Sequence, residues 1–130
     1  MALSGRVGIL TGLRYRGKQG MLNWILHRIT GLGIVFLVGT HVVAAFFLQH
    51  IGDNVSARIT AIYESRPTQL VVYFCVLFHA LNGARVAVMD LFPRLIRYER
   101  ELTWLQWGIF IPAYGLPAFF LLQAALIGQA

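Results

Sequence analysis

The sequence predicts an all-α integral membrane protein, a bundle of three transmembrane helices with its N-terminus inside the cell and its C-terminus outside. Three observations predict it. Of the 130 residues 58% are hydrophobic and 12% charged, with a mean hydropathy of +0.67, whereas a water-soluble domain this small needs far more polar surface to cover its core. Three apolar stretches, roughly 24–48, 70–92 and 105–127, are each long enough at ~1.5 Å per residue to cross a ~30 Å hydrocarbon layer. Nine of the eleven Lys and Arg residues fall on one side of those stretches, which marks that side as cytoplasmic.

The elements follow in order. Residues 1–22 form a basic, glycine-rich arm carrying Arg6, Arg14, Arg16 and Lys18. It either satisfies the charge rule alone or docks onto a soluble partner. The three-helix anchor occupies 23–130. Its first helix lies near 24–50, too long for the apolar core of a cleaved signal peptide and without a small-residue cleavage site. Residues 52–68 read as a short outer helix, in which Arg58 and Arg66 are balanced by Asp53 and Glu64. Pro67 opens the second span, near 68–92, and Pro93 closes it. The third span, near 103–128, contains Pro112 and Pro117, which remove backbone hydrogen bonds and are expected to bend it. Low charge excludes a disordered chain, and a single cysteine, Cys75, excludes a disulfide scaffold. The basic residues cluster at one membrane face, a pattern that argues against nucleic acid as a partner.

Ionisable groups inside a span are costly, so each is a functional candidate. His79 lies near the middle of the second span, in the run Phe78-His79-Ala80-Leu81-Asn82-Gly83-Ala84-Arg85. It is either a haem ligand or a histidine hydrogen-bonded to a neighbouring helix. Gly83 falls on the same helix face, where a flat macrocycle could approach the backbone, and Arg85 is ~9 Å further along the rise, within reach of a propionate. His27 and Arg28 follow Asn23 and Trp24 at the start of the first span. They are either interfacial anchors or a polar cluster for a carbonyl or carboxylate, a task for which the guanidinium fork is suited. His41 either ligates a second haem or packs between helices. By helical rise His41 and His79 read as lying at similar depths. Asp90 is expected to pair with an arginine, His50 to be solvated at the outer boundary, and Cys75 to pack.

Together these motifs resemble the cytochrome b membrane-anchor subunit of succinate dehydrogenase (respiratory complex II). Trp24-Ile25-Leu26-His27-Arg28-Ile29-Thr30-Gly31 is similar to the family's His-Arg-x-Ser/Thr-Gly signature. The His79–Arg85 run, followed by Asp90, is similar to its His-x-x-x-Gly-x-Arg run ending in an acidic residue. The wording His-Ala-Leu-Asn-Gly looks closest to actinobacterial-type members. The likeness spans residues 20–130.

The resemblance implies half of a heterodimeric haem-binding anchor in a bacterial plasma membrane. His79 would be an axial ligand to haem b iron, with the other axial ligand on a second membrane-anchor subunit. His27, Arg28, Gly83 and Arg85 would lie around the haem and its propionates. Arg28, with Asn23 and Trp24, would meet a quinone, either menaquinone or ubiquinone. Electrons would arrive from a flavoprotein subunit through an iron–sulfur subunit, so the chain would be a non-catalytic subunit of a succinate:quinone oxidoreductase. Two departures stand out. Trp24 occupies a position where many members carry a quinone-contacting serine, and Val86 one where many carry a second histidine. The alternatives are a haem-free structural anchor of a respiratory complex and a haem b subunit of another oxidoreductase.

Overall fold

The computed structural model describes residues 19–128. Most of the expected basic arm, residues 1–18, lies outside the described residues. The described chain is helical throughout: α1 (Gln19–His50), α2 (Asn54–Glu64), α3 (Arg66–Leu91), a 3-10 segment (Pro93–Tyr98) and α4 (Glu99–Leu126). Helix α1 includes residues 19–22, which were assigned to the arm, and its 32 described residues run about 48 Å. The segments Gly20–His50, Arg66–Leu91 and Pro93–Leu126 are each long and apolar enough to span a bilayer.

Local chemistry sets the breaks. Gly52 sits at φ 71° and donates its N–H to the carbonyls of Phe47 and Leu48, a left-handed stop that glycine takes without steric cost. Asp53 then caps α2 by accepting from the Ser56 N–H at 2.9 Å. Pro67 stands in the first turn of α3, where its missing N–H is harmless. Pro93 forces Phe92 off the helix (φ −125°, ψ 77°).

Helix α3 lies between α1 and α4 and packs on both. Against α1 the approach is close. A Cβ on Gly33 would stand 2.9 Å from Cys75 Sγ, and one on Gly31 would stand 3.0 Å from His79 Cε1. Against α4 the packing is aromatic, with Phe78 edge-on to Phe110 at 5.8 Å and Phe74 edge-on to Phe110 at 5.4 Å. Helix α4 runs through both prolines as one element. Pro117 has no N–H to give the Ala113 carbonyl, and the Tyr73 hydroxyl donates to that oxygen instead, at 2.7 Å. The carbonyl freed by the proline therefore becomes a tie between α3 and α4.

The burial pattern is inverted relative to a water-soluble protein. Among the described residues only Ala44, Cys75, Phe78 and Phe110 are buried apolar residues, whereas Asn23, Thr30, Ser56, Asn82, Thr103 and Gln106 are buried polar ones. Large apolar side chains such as Phe36, Ile111 and Phe120 stand outward. Hydrocarbon outside and polar contacts inside account for this arrangement; water outside does not.

Candidate functional site

The site is built where α1 and α3 come closest. His79 projects from α3 onto the first turns of α1, and its ring lies flat on that of His27, with centroids 3.9 Å apart and planes 7° apart. His79 Nδ1 is 3.0 Å from the His27 carbonyl oxygen. A carbonyl only accepts, so Nδ1 carries the hydrogen. Thr30 Oγ1, 3.3 Å from the same nitrogen, is fixed by its own bond to the Leu26 carbonyl at 2.8 Å. In the neutral ring the lone pair is therefore on Nε2, the tautomer a metal-binding imidazole needs, and no group among the described residues bonds that atom.

Glycines make room for the pair. Gly31 admits the His79 ring, while Gly83 faces His27, whose Cε1 would be 3.6 Å from an added Cβ. Thr30 and Gly31 belong to the motif that carries the family resemblance, and the structure adds a role for each beside His79. Their spacing from His27, three and four residues on, places them on its helix face.

Arg28 and Trp24 occupy a different face of α1. Both are exposed, and the guanidinium carbon stands 4.0 Å above the Trp24 ring centre. The indole at the departure from the family pattern thus serves as a platform for the arginine. Asn23 is one residue away but 1% exposed and turned inward, since consecutive helical residues point about 100° apart. The structure therefore separates Asn23 from Arg28 and Trp24. Arg85 faces α4, where Nη1 donates to Thr103 Oγ1, and Thr103 in turn donates to the Glu99 carbonyl at 2.8 Å. The structure does not bring Arg85 into the histidine pair.

Three other expectations are corrected or refined. His41 and His79 do not lie at similar depths. His79 is level with His27 and Gly31, and His41 is fourteen residues beyond His27, about 21 Å along the helix. The ends of apolar stretches do not fix the register between helices; the glycine contacts do. His41 stacks instead on Tyr63 of α2 at 3.7 Å, beside a cavity of about 290 Å3 that Thr40 and Thr68 also line. Asp90 is exposed and makes no ion pair among the described residues. His50 is exposed, and its Nδ1 lies 2.8 Å from the Phe46 carbonyl. Cys75 packs, as expected. The buried polar residues Asn82, Thr103 and Gln106 carried no role in the sequence reading.

These features define a class: a helical protein with three membrane-spanning segments, a hydrogen-bonded histidine pair between the first two, and an indole-backed arginine one residue from that pair. The chain belongs to the family of succinate dehydrogenase/fumarate reductase transmembrane subunits, whose pattern matches residues 11–115. It is similar to the succinate dehydrogenase 2 membrane subunit SdhC of Mycobacterium tuberculosis, with 37% identity over 100 residues, covering 75% of this chain and 73% of that protein. The family resemblance read from the two histidine motifs, and its actinobacterial cast, agree with these matches.

Proposed function

We propose that this chain is the haem b-binding membrane anchor of a succinate:quinone oxidoreductase and helps pass electrons from an iron–sulfur subunit to membrane quinone. The observation that carries this reading is the His79 Nδ1 bond to the His27 carbonyl, because it leaves Nε2 as the free donor atom for iron. A haem b held there would supply one-electron transfer, with His79 holding it from this chain and a histidine of a second membrane subunit holding it from the other. This chain's own residues supply the setting. Thr30 and the His27 carbonyl fix the His79 ring, Gly31 admits it, and the stacked His27 covers one face.

Arg28 is the quinone-binding residue in this reading. Its charge is permanent, its donors face outward, and Trp24 holds the guanidinium in place. A quinone carbonyl gains negative charge as electrons arrive, and a pre-positioned donor stabilises that charge. Succinate oxidation would belong to a flavoprotein subunit, with the iron–sulfur subunit docked at the basic end formed by Arg94, Arg97 and Arg100. The positive-inside rule places that end in the cytoplasm of a bacterium, giving an N-in, C-out, multi-pass plasma-membrane protein. His41 is where a second haem would attach, but its stack on Tyr63 favours packing. Haem stoichiometry of the purified complex, measured with its succinate-driven quinone reduction, tests the reading. A complex that reduces quinone without haem would leave a structural anchor.

A further inference from the structure

Between α3 and α4 the chain turns through the 3-10 segment Pro93–Tyr98. A 3-10 helix has three residues per turn, so side chains three apart eclipse one another. Arg94 and Arg97 are such a pair. They leave the same face of the segment, about 6 Å apart by the 3-10 rise. On an α-helix the same two residues would diverge by about 60°. Both are exposed, and neither makes an ion pair among the described residues. Arg97 rests on the Tyr98 ring, its guanidinium carbon 4.9 Å from the ring centre.

Two cavities meet at this segment. One, of about 580 Å3, is lined by Pro93, Arg94 and Arg97. The other, of about 450 Å3, shares Pro93 and Arg94 and adds Leu91, Phe92 and Leu95. No carboxylate lines either one. Leu91 is the last residue of the second span, so the apolar cavity lies on the membrane side of the arginines.

The two halves together select the ligand. A free anion would answer the guanidinium groups and leave Leu91 and Phe92, 73% and 60% exposed, uncovered. An acyl chain alone would leave two cations without counter-charge. A phosphodiester joined to acyl chains answers both, with the polarity that a lipid of the cytoplasmic leaflet has. The guanidinium fork matches phosphate oxygens, and basic pockets at the cytoplasmic side of a bundle suit anionic headgroups.

We propose that the α3–α4 connection binds one anionic phospholipid of the cytoplasmic leaflet, with its phosphate between Arg94 and Arg97 and an acyl chain along Leu91 and Phe92. The site rests on the N-in orientation and requires neither haem nor quinone. It narrows the docking surface of the proposed function: the lipid takes Arg94 and Arg97 at the rim, and Arg100, in the first turn of α4, is left to the iron–sulfur subunit.

Native mass spectrometry of the intact purified complex, in neutral detergent with equal amounts of phosphatidylglycerol and phosphatidylcholine, tests this. Two cations against one anionic headgroup predict one retained phosphatidylglycerol, preferred about 30-fold over phosphatidylcholine. Arg94→Gln/Arg97→Gln is expected to lose that lipid. Arg94→Lys/Arg97→Lys, which keeps the charge without the fork, is expected to hold it with a smaller preference. Arg58→Gln, at the outer side, is expected to change nothing, and excess inorganic phosphate is expected not to displace the lipid. Equal retention of the two lipids by the unmodified complex overturns the proposal. Displacement by phosphate overturns it too, since the arginines would then hold any small anion. Loss of the iron–sulfur subunit from Arg94→Gln/Arg97→Gln with an unchanged lipid count also overturns it, because the arginines would then belong to the protein partner.

Discussion

His79 Nδ1 and the carbonyl oxygen of His27 stand 3.0 Å apart across the α1–α3 contact. One bond thereby ties a backbone group of the first span to the side chain on which the proposed chemistry depends. It sets which nitrogen carries the hydrogen and which way the ring points.

Gly31 and Gly33 set the closeness of α1 to α3. Gly31→Ala puts a methyl group 3.0 Å from His79 Cε1, so the ring must move by a few tenths of an ångström. The expected result is an assembled complex with a shifted haem absorbance. Gly33→Ala meets Cys75 Sγ at 2.9 Å and is expected to destabilise by about 1–3 kcal/mol, the usual cost of overpacking. Cys75→Ala in the same chain is expected to recover most of that loss. A double-mutant cycle of unfolding in mixed micelles reads the coupling.

Tyr73→Phe removes the donor to the Ala113 carbonyl, which Pro117 cannot serve. The expected cost is about 1–3 kcal/mol for an unsatisfied carbonyl, measured by the same unfolding assay. Tyr114→Phe, whose hydroxyl bond to the Leu70 carbonyl is longer at 3.3 Å, is expected to cost less.

Arg28→Leu is expected to slow quinone reduction about 100-fold, the scale of losing one donor to a developing negative charge, with the haem spectrum intact. Arg28→Lys keeps the charge but loses the fork and its seat on Trp24, and should fall between the two. Unaltered steady-state turnover in Arg28→Leu would remove this residue from the quinone site.

The Ser56 hydroxyl and N–H, both donating to Asp53, hold its carboxyl below the usual range. A carboxyl whose folded pKa is depressed contributes stability above its unfolded pKa and loses it as pH falls through the folded value. Hydrogen exchange of the α2 amides is therefore expected to quicken in acid. Asp53→Ala should show that faster exchange already at neutral pH, and Asp53→Asn, which still caps, should lose the acid response.

Much of this arrangement was legible in the sequence because lipid imposes simple demands. Apolar length marked the spans, Pro67 and Pro93 marked two boundaries, and the intramembrane histidines marked the site. What stayed hidden depends on how helices meet. The register of α1 on α3 rests on Gly31 against His79 and Gly33 against Cys75, and no periodicity reveals it, so helical rise alone does not give the depth of His41 relative to His79. The split of Asn23 from Trp24 and Arg28 follows from which α1 face turns inward, a choice that packing makes. Residues 19–22 are helical although they read as part of the arm, because nothing in them is strong enough to break a helix that the following span nucleates.

The central claim is that His79 ligates haem iron through Nε2, and the reduced-minus-oxidised absorption spectrum of the purified complex carrying His79→Ala tests it most directly. The expected result is an assembled complex without the low-spin b-type signal seen in the unmodified protein. An unchanged b-type spectrum would contradict the assignment and leave His79 as a packed residue between two helices.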